Sequence, residues 1–346
     1  MSSTEEITGQ RSAREVLAWG RDSVDPALRE AAEALPASMR RIAGYHFGWW
    51  DEDGRPTRTD GGKALRPALA LLAAEAVGGA PAAASPAAVA VELVHDFSLL
   101  HDDVMDGDAT RRHRPTAWSV FGSGPAVLAG DALLTLAFDV LAASGHPAAP
   151  DGMRMLSRAV LDLVGGQSAD IAFEDRSDVD LRECLSMAER KTGALLGCAC
   201  ALGAAFGGGD REQVAGLRGF GERLGLAFQF TDDLLGIWGD PAVTGKPVHS
   251  DLVNRKKSLP VVAALTSGTP AGEELAALYR RDRPLSGTEP ARAAELVDIA
   301  GGRAWSRIRA DDLLAQALEL LRSIGPPQRA AAELTALARL IARRDH

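Results

Sequence analysis

Two pairs of adjacent aspartates, Asp102-Asp103 and Asp232-Asp233, constrain this chain more than any other feature, because each lies late in a segment of apolar residues with helical period. Val89, Leu93, Phe97 and Leu100 mark that period before the first pair, and Asp106 follows one turn after Asp102. Carboxylates next to so much apolar surface are costly to bury as bare charges unless a cation compensates them. The pattern predicts two helices of a bundle whose carboxylates face one another across a central cavity, the way metal sites in helical bundles are commonly assembled.

Composition supports helix over sheet. Of 346 residues, 46% are hydrophobic and only 5% aromatic, so the core must be built mainly from Ala, Leu and Val. No long Ser/Pro/Gly linker divides the chain and no repeat of solenoid length occurs, so a single all-α domain over residues 1-346 is expected. A net charge of -9 argues against nucleic acid as a partner, which calls for a basic stripe. Residues 1-12 include Glu5 and Glu6 and lack the basic and apolar regions of a secretion signal. The apolar region 64-105 is interrupted by Arg66, Glu75, Gly78, Gly79, Pro81 and Pro86, so no membrane span is expected and the reading is a cytoplasmic protein. Cys184, Cys198 and Cys200 match neither a disulfide framework nor a zinc site and read as buried, reduced packing residues.

Local signals place the helices. Ser12 and Glu15 form a candidate capping box, and a helix should begin near Lys63 and end at Gly78-Gly79. Ser85 is the candidate N-cap, with Pro86 in the first turn, of a helix running to Gly107. Helices are further expected over 124-143, through Met155 and Gly165 past Gln167 and Asp170, over 181-206 and over 210-237.

Asp102 and Asp106 project from one helical face and can jointly grip a hard cation, with Asp103 beside them. Mg2+ prefers carboxylate oxygen, keeps several waters and bridges readily to phosphate, so the open pair points to a phosphorylated ligand. Shortly downstream, Arg111-Arg112-His113-Arg114-Pro115-Thr116 offers guanidinium forks for diphosphate oxygens. Lys63, Arg66, Lys191, Lys246 and Lys256 stand in further distinctive settings, although each alone would read as a solvated charge.

In their order GKxLRP, HDDxxDxxxxRRxRPT, GQxxD, KTG, FQxxDD and GKPxxSDL, from about Gly61 to Pro260, these motifs resemble the trans-isoprenyl diphosphate synthases of the polyprenyl synthetase family. The resemblance implies an all-α helical bundle of the isoprenoid synthase type and a Mg2+-dependent prenyltransferase. It implies that Asp102, Asp106 and Asp232 bind Mg2+, about three ions in all, with Asp103 and Asp233 supporting them. Arg111, Lys191, Lys246 and Lys256 would hold the allylic diphosphate, with Gln229 and Thr192 near the reacting carbon. Lys63, Arg66, His95 and Arg112 would cradle isopentenyl diphosphate. His101 reads as a helix-packing residue. A homodimer is usual in the family.

The second motif departs from the family's DDxxD: Gly236 stands where a last aspartate would be, and Asp240 and Asp251 are candidates to assist through water. Asp311-Asp312 looks like a third copy but lacks the neighbouring Gln and basic partners, so a solvent-facing position is expected. Product length should be limited by Phe97, Ser98 and Val94, on or near one helical face before Asp102. In family terms an aromatic at Phe97 with small Ser98 implies geranylgeranyl diphosphate as product. Competing readings are a farnesyl or longer-chain synthase, a terpene cyclase on the same fold, a metal phosphohydrolase built on His95-Asp96 and His101-Asp102, and a regulatory subunit of a heteromeric synthase.

Overall fold

The computed structural model describes residues 10–57, 62–241, 247–281 and 283–342. Helices supply nearly all of the regular structure of the described residues, so the fold is all-α, as expected. In the first, α1 (Ala13–Ala32), Ser12 and Glu15 make both bonds of the expected capping box. α2 (Ala37–His46) follows, and α3 (Leu65–Ala76) opens close to where the sequence places it. α4 (Ser85–Met105) carries the first aspartate pair in its last turn.

The start of α4 corrects the expected cap. A 3-10 turn over Pro81–Ala84 runs directly into the helix, so Ser85 is already helical at φ -54 and ψ -46, and its side chain caps nothing. The Pro at the first turn is as expected, because its missing N–H would lack a helical partner there anyway.

Two-residue strands β1 (Thr110–Arg111) and β2 (Arg114–Pro115) pair antiparallel, Arg111 opposite Arg114. After α5 (Ala117–Phe121) and α6 (Ser123–Ala143), α7 (Ala149–Glu174) passes straight through Gly165. The expected single helix over 181-206 is instead α8 (Leu181–Ala188), a π-helical turn over Glu189–Gly193, and α9 (Ala194–Phe206). Apolar period alone does not report a one-turn change of pitch inside a continuous helix, whereas π-turns recur at functional positions. α10 (Arg211–Trp238) bears the second aspartate pair.

The chain gathers into two compact units. Unit 1 takes its described residues from Met1–Ser157, Cys198–Arg218 and Leu320–Ala338, and unit 2 from Arg158–Gly197, Gly219–Glu319 and Arg339–His346. In unit 1, α4 packs against α1, α3 and α6, burying Val89, Leu93, Val94 and Leu100. In unit 2, Ile237, Leu252, Val261, Leu275, Leu296 and Val297 close a separate apolar cluster. All three cysteines are buried and form no disulfide with one another, as expected, and burial pushes the Cys198 thiol up to about 12.

Two stretches, Pro81–Met105 and Ser123–Ala143, are long and apolar enough by length and composition to cross a membrane. The interruptions of 64-105 are thus not sufficient to rule out a span, because Arg66, Glu75, Gly78 and Gly79 fall before the stretch containing α4. The most apolar window of the first stretch is nevertheless 67% buried inside the protein, as a core helix is, against 39% for the second.

Candidate active site

In unit 1 the end of α4 presents three carboxylates in different settings. Asp102 is half-buried and Asp106 exposed, one turn apart on one face. Asp103 is buried and accepts a 2.7 Å hydrogen bond from Arg111 Nε. Burial raises the Asp103 carboxyl against the pull of Arg111. Burial also weighs on the Arg111 charge, but the bond to Asp103 outweighs it and the guanidinium is raised above its ordinary value. Asp103 therefore anchors Arg111, whereas Asp102 and Asp106 share one helical face a turn apart.

The turn that carries the arginines is strained. Arg112 and His113, between β1 and β2, both have positive φ, 51 and 62. That is the backbone of a two-residue type I′ hairpin, which Asn-Gly fills comfortably and other residues fill at a cost of roughly 1 kcal/mol each. Such strain is concentrated at functional positions when the surroundings hold it in place. Here Trp118 Nε1 donates to Asp108 O at 2.9 Å, Thr116 N to Ala109 O at 3.0 Å, and Arg114 lies 4.4 Å over the Tyr45 ring. Tyr45, His46, Asp103, Arg111, Arg112 and Arg114 line a small cavity whose charge is mostly positive. Such a lining suits an anion.

Behind it lies a cluster of buried and half-buried polar side chains. Arg66 on α3 is close enough to Glu92, Asp96 and Arg112 to feel their charges, and burial pulls it down to about 10, which keeps it a cation at neutral pH. Burial, reinforced by Asp96, pushes Glu92 up. Burial and the charges of Arg66 and Arg112 hold His95 well below the ordinary imidazole range, so it is neutral. His46 Nε2 meets Asp96 Oδ1 at 3.2 Å, so Asp96 is engaged by a residue far from His95 in sequence. Gly62 lies against the Arg112 guanidinium, which joins the first basic motif to the hairpin, while Lys63 is exposed.

His101 does pack helices: its Nε2 meets Val127 O on α6 at 2.9 Å and its ring stands edge-on to Phe97 at 4.8 Å. Phe97 therefore shares the face of His101, whereas Ser98 lies one turn before Asp102. Val94, Phe97 and Ser98 are all buried.

Unit 2 holds the other motifs. The π-turn presents Lys191, whose Nζ donates to Asp170 Oδ2 on α7 at 2.6 Å, with Lys256 Nζ 4.0 Å from the same oxygen. Burial works to raise the Asp170 carboxyl, but Lys191 and Lys256 outweigh it and hold it below its ordinary value. Backbones approach closely here: a Cβ on Gly166 would meet Lys191 N at 2.4 Å by construction, so only glycine lets α7 reach the turn. Thr192 Oγ1 donates to Gln229 Oε1 at 2.6 Å, and Gln229 Nε2 donates to Asp233 Oδ1 at 2.7 Å. Leu259 N donates to Asp233 Oδ2 at 2.8 Å. Burial, aided by Asp251, pushes Asp233 up to about 7. Asp233 is thus fully engaged in the fold, while Asp232 beside it is exposed.

The donor set fits Mg2+. Asp102, Asp106 and Asp232 each offer the carboxylate oxygen that Mg2+ prefers, and that ion is commonly held by one or two carboxylates and completed by water and substrate phosphate. Lys246 lies outside the described residues. Asp311 and Asp312 are exposed, as expected.

Sequence reasoning gave no role to several residues that the fold brings into these clusters. Asp170 and Gln167 belong to the GQxxD motif, and Gln167 is 5% exposed with neither amide atom bonded. Glu92 could have been found as an acid one turn before Asp96, which the sequence marks only as half of a His-Asp pair, whereas nothing in the sequence marks His46.

The polyprenyl synthetase family model matches residues 54–297, somewhat more than the stretch that carries the motifs. A (2E,6E)-farnesyl diphosphate synthase of Mycobacterium bovis is 47% identical over 333 residues, covering 95% of this chain and 93% of that protein. A geranylgeranyl diphosphate synthase of Mycobacterium tuberculosis is 46% identical over 331 residues, with the same coverage. The crystal structure of a polyprenyl synthetase from Streptomyces coelicolor A3(2) superposes with a TM-score of 0.90 at 48% identity, covering 94% of this chain and 98% of that one. With the ordered motifs, the helical fold and relatives matching along nearly its whole length, this chain belongs to the polyprenyl synthetase family.

Proposed function

We propose that this protein is a short-chain trans-prenyl diphosphate synthase, a transferase that joins isopentenyl diphosphate to an allylic diphosphate with Mg2+. The observation that carries the reading is the agreement of full-length relatives, all prenyl synthases, with an ordered motif set whose side chains are engaged as described above. The family match draws on residues of both units, which supports one synthase domain over the whole chain.

The residues divide the work. Asp102, Asp106 and Asp232 hold the Mg2+, about three ions, and Asp103 and Asp233 support them. Bound Mg2+ supplies Lewis-acid charge to the leaving diphosphate. Arg111, anchored by Asp103, holds the allylic diphosphate together with Lys191, Lys246 and Lys256, and Asp170 orients the two lysines that lie beside it. The allylic C–O bond breaks and its electron pair leaves with the diphosphate, whose growing charge these cations stabilise. Lys63, Arg66, His95 and Arg112 orient isopentenyl diphosphate, whose double bond then forms the new C–C bond. Thr192 and Gln229, held at 2.6 Å, stand near the reacting carbon. The proton lost from the condensed product passes to the released diphosphate, so no histidine base is required, consistent with a half-buried His95 whose basicity burial and the nearby arginines lower.

For the product we favour geranylgeranyl diphosphate, supported by buried Phe97 with Ser98 beside it. Farnesyl diphosphate is the alternative that the 47% identical relative supports. A cytoplasmic homodimer is the proposed working form. Its support is α6, with mean hydropathy 1.8 and only 39% of its apolar window buried, and Leu128 57% exposed on it.

Chromatography of products from dimethylallyl, geranyl or farnesyl diphosphate with isopentenyl diphosphate and Mg2+ tests all of this. Asp102→Ala should cut turnover about 100-fold or more, and Phe97→Ala should lengthen the product. Turnover of geranylgeranyl diphosphate alone, with no condensation, would make the protein a cyclase instead.

A further inference from the structure

The last turn of α2 touches both the arginine hairpin and α4. Tyr45 Oη donates to Pro115 O at 2.8 Å, and its ring lies against Arg114. His46, the next residue, reaches α4, where its Nε2 meets Asp96 Oδ1 at 3.2 Å. Both side chains are closed to solvent, 5% and 3% exposed. A carboxylate only accepts, so Nε2 carries the proton. The other oxygen of Asp96 is buried without a hydrogen bond, and so is Nε of Arg66, although the charge of Asp96 is felt at Arg66. A buried acceptor and a buried donor of opposite charge gain by meeting, because leaving each unmade is costly. Here the imidazole holds the carboxylate instead.

We propose that His46 is a positioning residue for isopentenyl diphosphate: by holding Asp96 it keeps that carboxylate from capturing Arg66, and so leaves the guanidinium to the substrate's diphosphate. The inference rests on the proposed condensation and adds to it a residue of α2, outside every motif of the chain. Carboxylate and diphosphate compete for the same N–H groups of a guanidinium, and the carboxylate is already inside the fold. Glu92 is the weaker rival, because burial and the charge of Asp96 push its carboxyl up to about 8, so it keeps its proton at neutral pH. His46 also lines the same cavity as Arg111, Arg112 and Arg114, and its charge is felt at His95. A change in the His46–Asp96 contact therefore acts where the residues assigned to isopentenyl diphosphate gather.

The test is calorimetric titration of the full chain with isopentenyl diphosphate, alongside initial rates with both substrates. His46→Asn, polar but too short to reach Asp96, should weaken isopentenyl diphosphate binding about tenfold, the scale of one hydrogen bond to a charged group. Its KM should rise by a like factor while kcat and the KM of the allylic diphosphate hold. His46→Gln, whose amide nitrogen can stand where Nε2 does, should restore most of the affinity. His46→Leu should behave as His46→Asn does, and serves in its place if the asparagine variant does not fold. The decisive variant is His46→Asn with Asp96→Asn. With no charged competitor left for Arg66, it should bind isopentenyl diphosphate as the parent does, whereas a merely structural contact would leave it as weak as His46→Asn. That outcome overturns the proposal, as do unaltered binding in His46→Asn and an equal rise in both KM values. If the parent forms no condensation product from any allylic diphosphate, the synthase reading itself fails; if it does and His46→Asn binds normally, only the role of His46 fails.

Discussion

Gly225→Ala is a small change that should reach the chemistry through helix packing. Gly225 on α10 faces the π-turn so closely that a Cβ there would stand 2.7 Å from Gly193 Cα and 3.2 Å from Thr192 O. Carbon atoms settle at about 3.5–4.0 Å, so α10 and the turn must move apart by roughly 1 Å. Gln229 is one turn further along the same face and is bonded to Thr192 at 2.6 Å, so a shift of that size stretches the bond to about 3.6 Å, beyond hydrogen-bond range. Overpacking of this kind costs about 1–3 kcal/mol of stability. A misplacement of about 1 Å near a reacting centre costs up to about 100-fold in rate. Urea unfolding should therefore show the stability loss, and steady-state kinetics should show kcat/KM for the allylic substrate falling about 10- to 100-fold. A variant destabilised by that amount but kinetically unchanged would refute the claim that the Thr192–Gln229 contact positions the reacting carbon.

His113→Asn should stabilise the protein by roughly 0.5–1 kcal/mol in thermal or urea unfolding, because asparagine tolerates the positive φ of this exposed hairpin position better than histidine does. Glu92→Gln should change how stability depends on pH. A carboxyl raised in the fold keeps its proton above its ordinary range while the unfolded chain has released it, so folding binds a proton and stability falls as pH rises through that window. The glutamine variant lacks this slope, at most about 1.4 kcal/mol per pH unit. Its stability relative to the parent should climb from pH 5 to about pH 8, and parallel pH profiles of urea midpoints would contradict a raised Glu92.

Much of the fold was legible because its signals are local. The capping box at Ser12, the glycine breaks and the 3.6-residue period of α4 and α10 act within a turn or two, and the structure follows them. The exceptions have physical reasons. Ser85 reads as a cap by residue type, but the preceding 3-10 turn had already set its backbone to helix. The π-turn adds a residue without disturbing the apolar pattern, so period detection passes over it. For the site, residue types in fixed spacing picked out Asp102, Arg111 and Lys191, while Asp170 was only a motif letter and the His46–Asp96 contact had no sequence signal. Pairing between distant segments depends on tertiary packing, which spacing along the chain does not encode. Spacing was also silent at Gly236, where the carboxylate of Asp251, from another segment, lies in the space a side chain would take.

The five residues Glu189–Gly193 set the phase of everything that follows them. One additional residue in that winding offsets α9 by about 100° relative to an uninterrupted α-helix. Deleting a single residue there would swing Lys191 away from Asp170 and turn the side chains of α9, which is buried on nearly every side, into space its neighbours already fill. A chain this rich in interchangeable alanine and leucine can accept many substitutions along its helices, yet at this point it should refuse the loss of even one link.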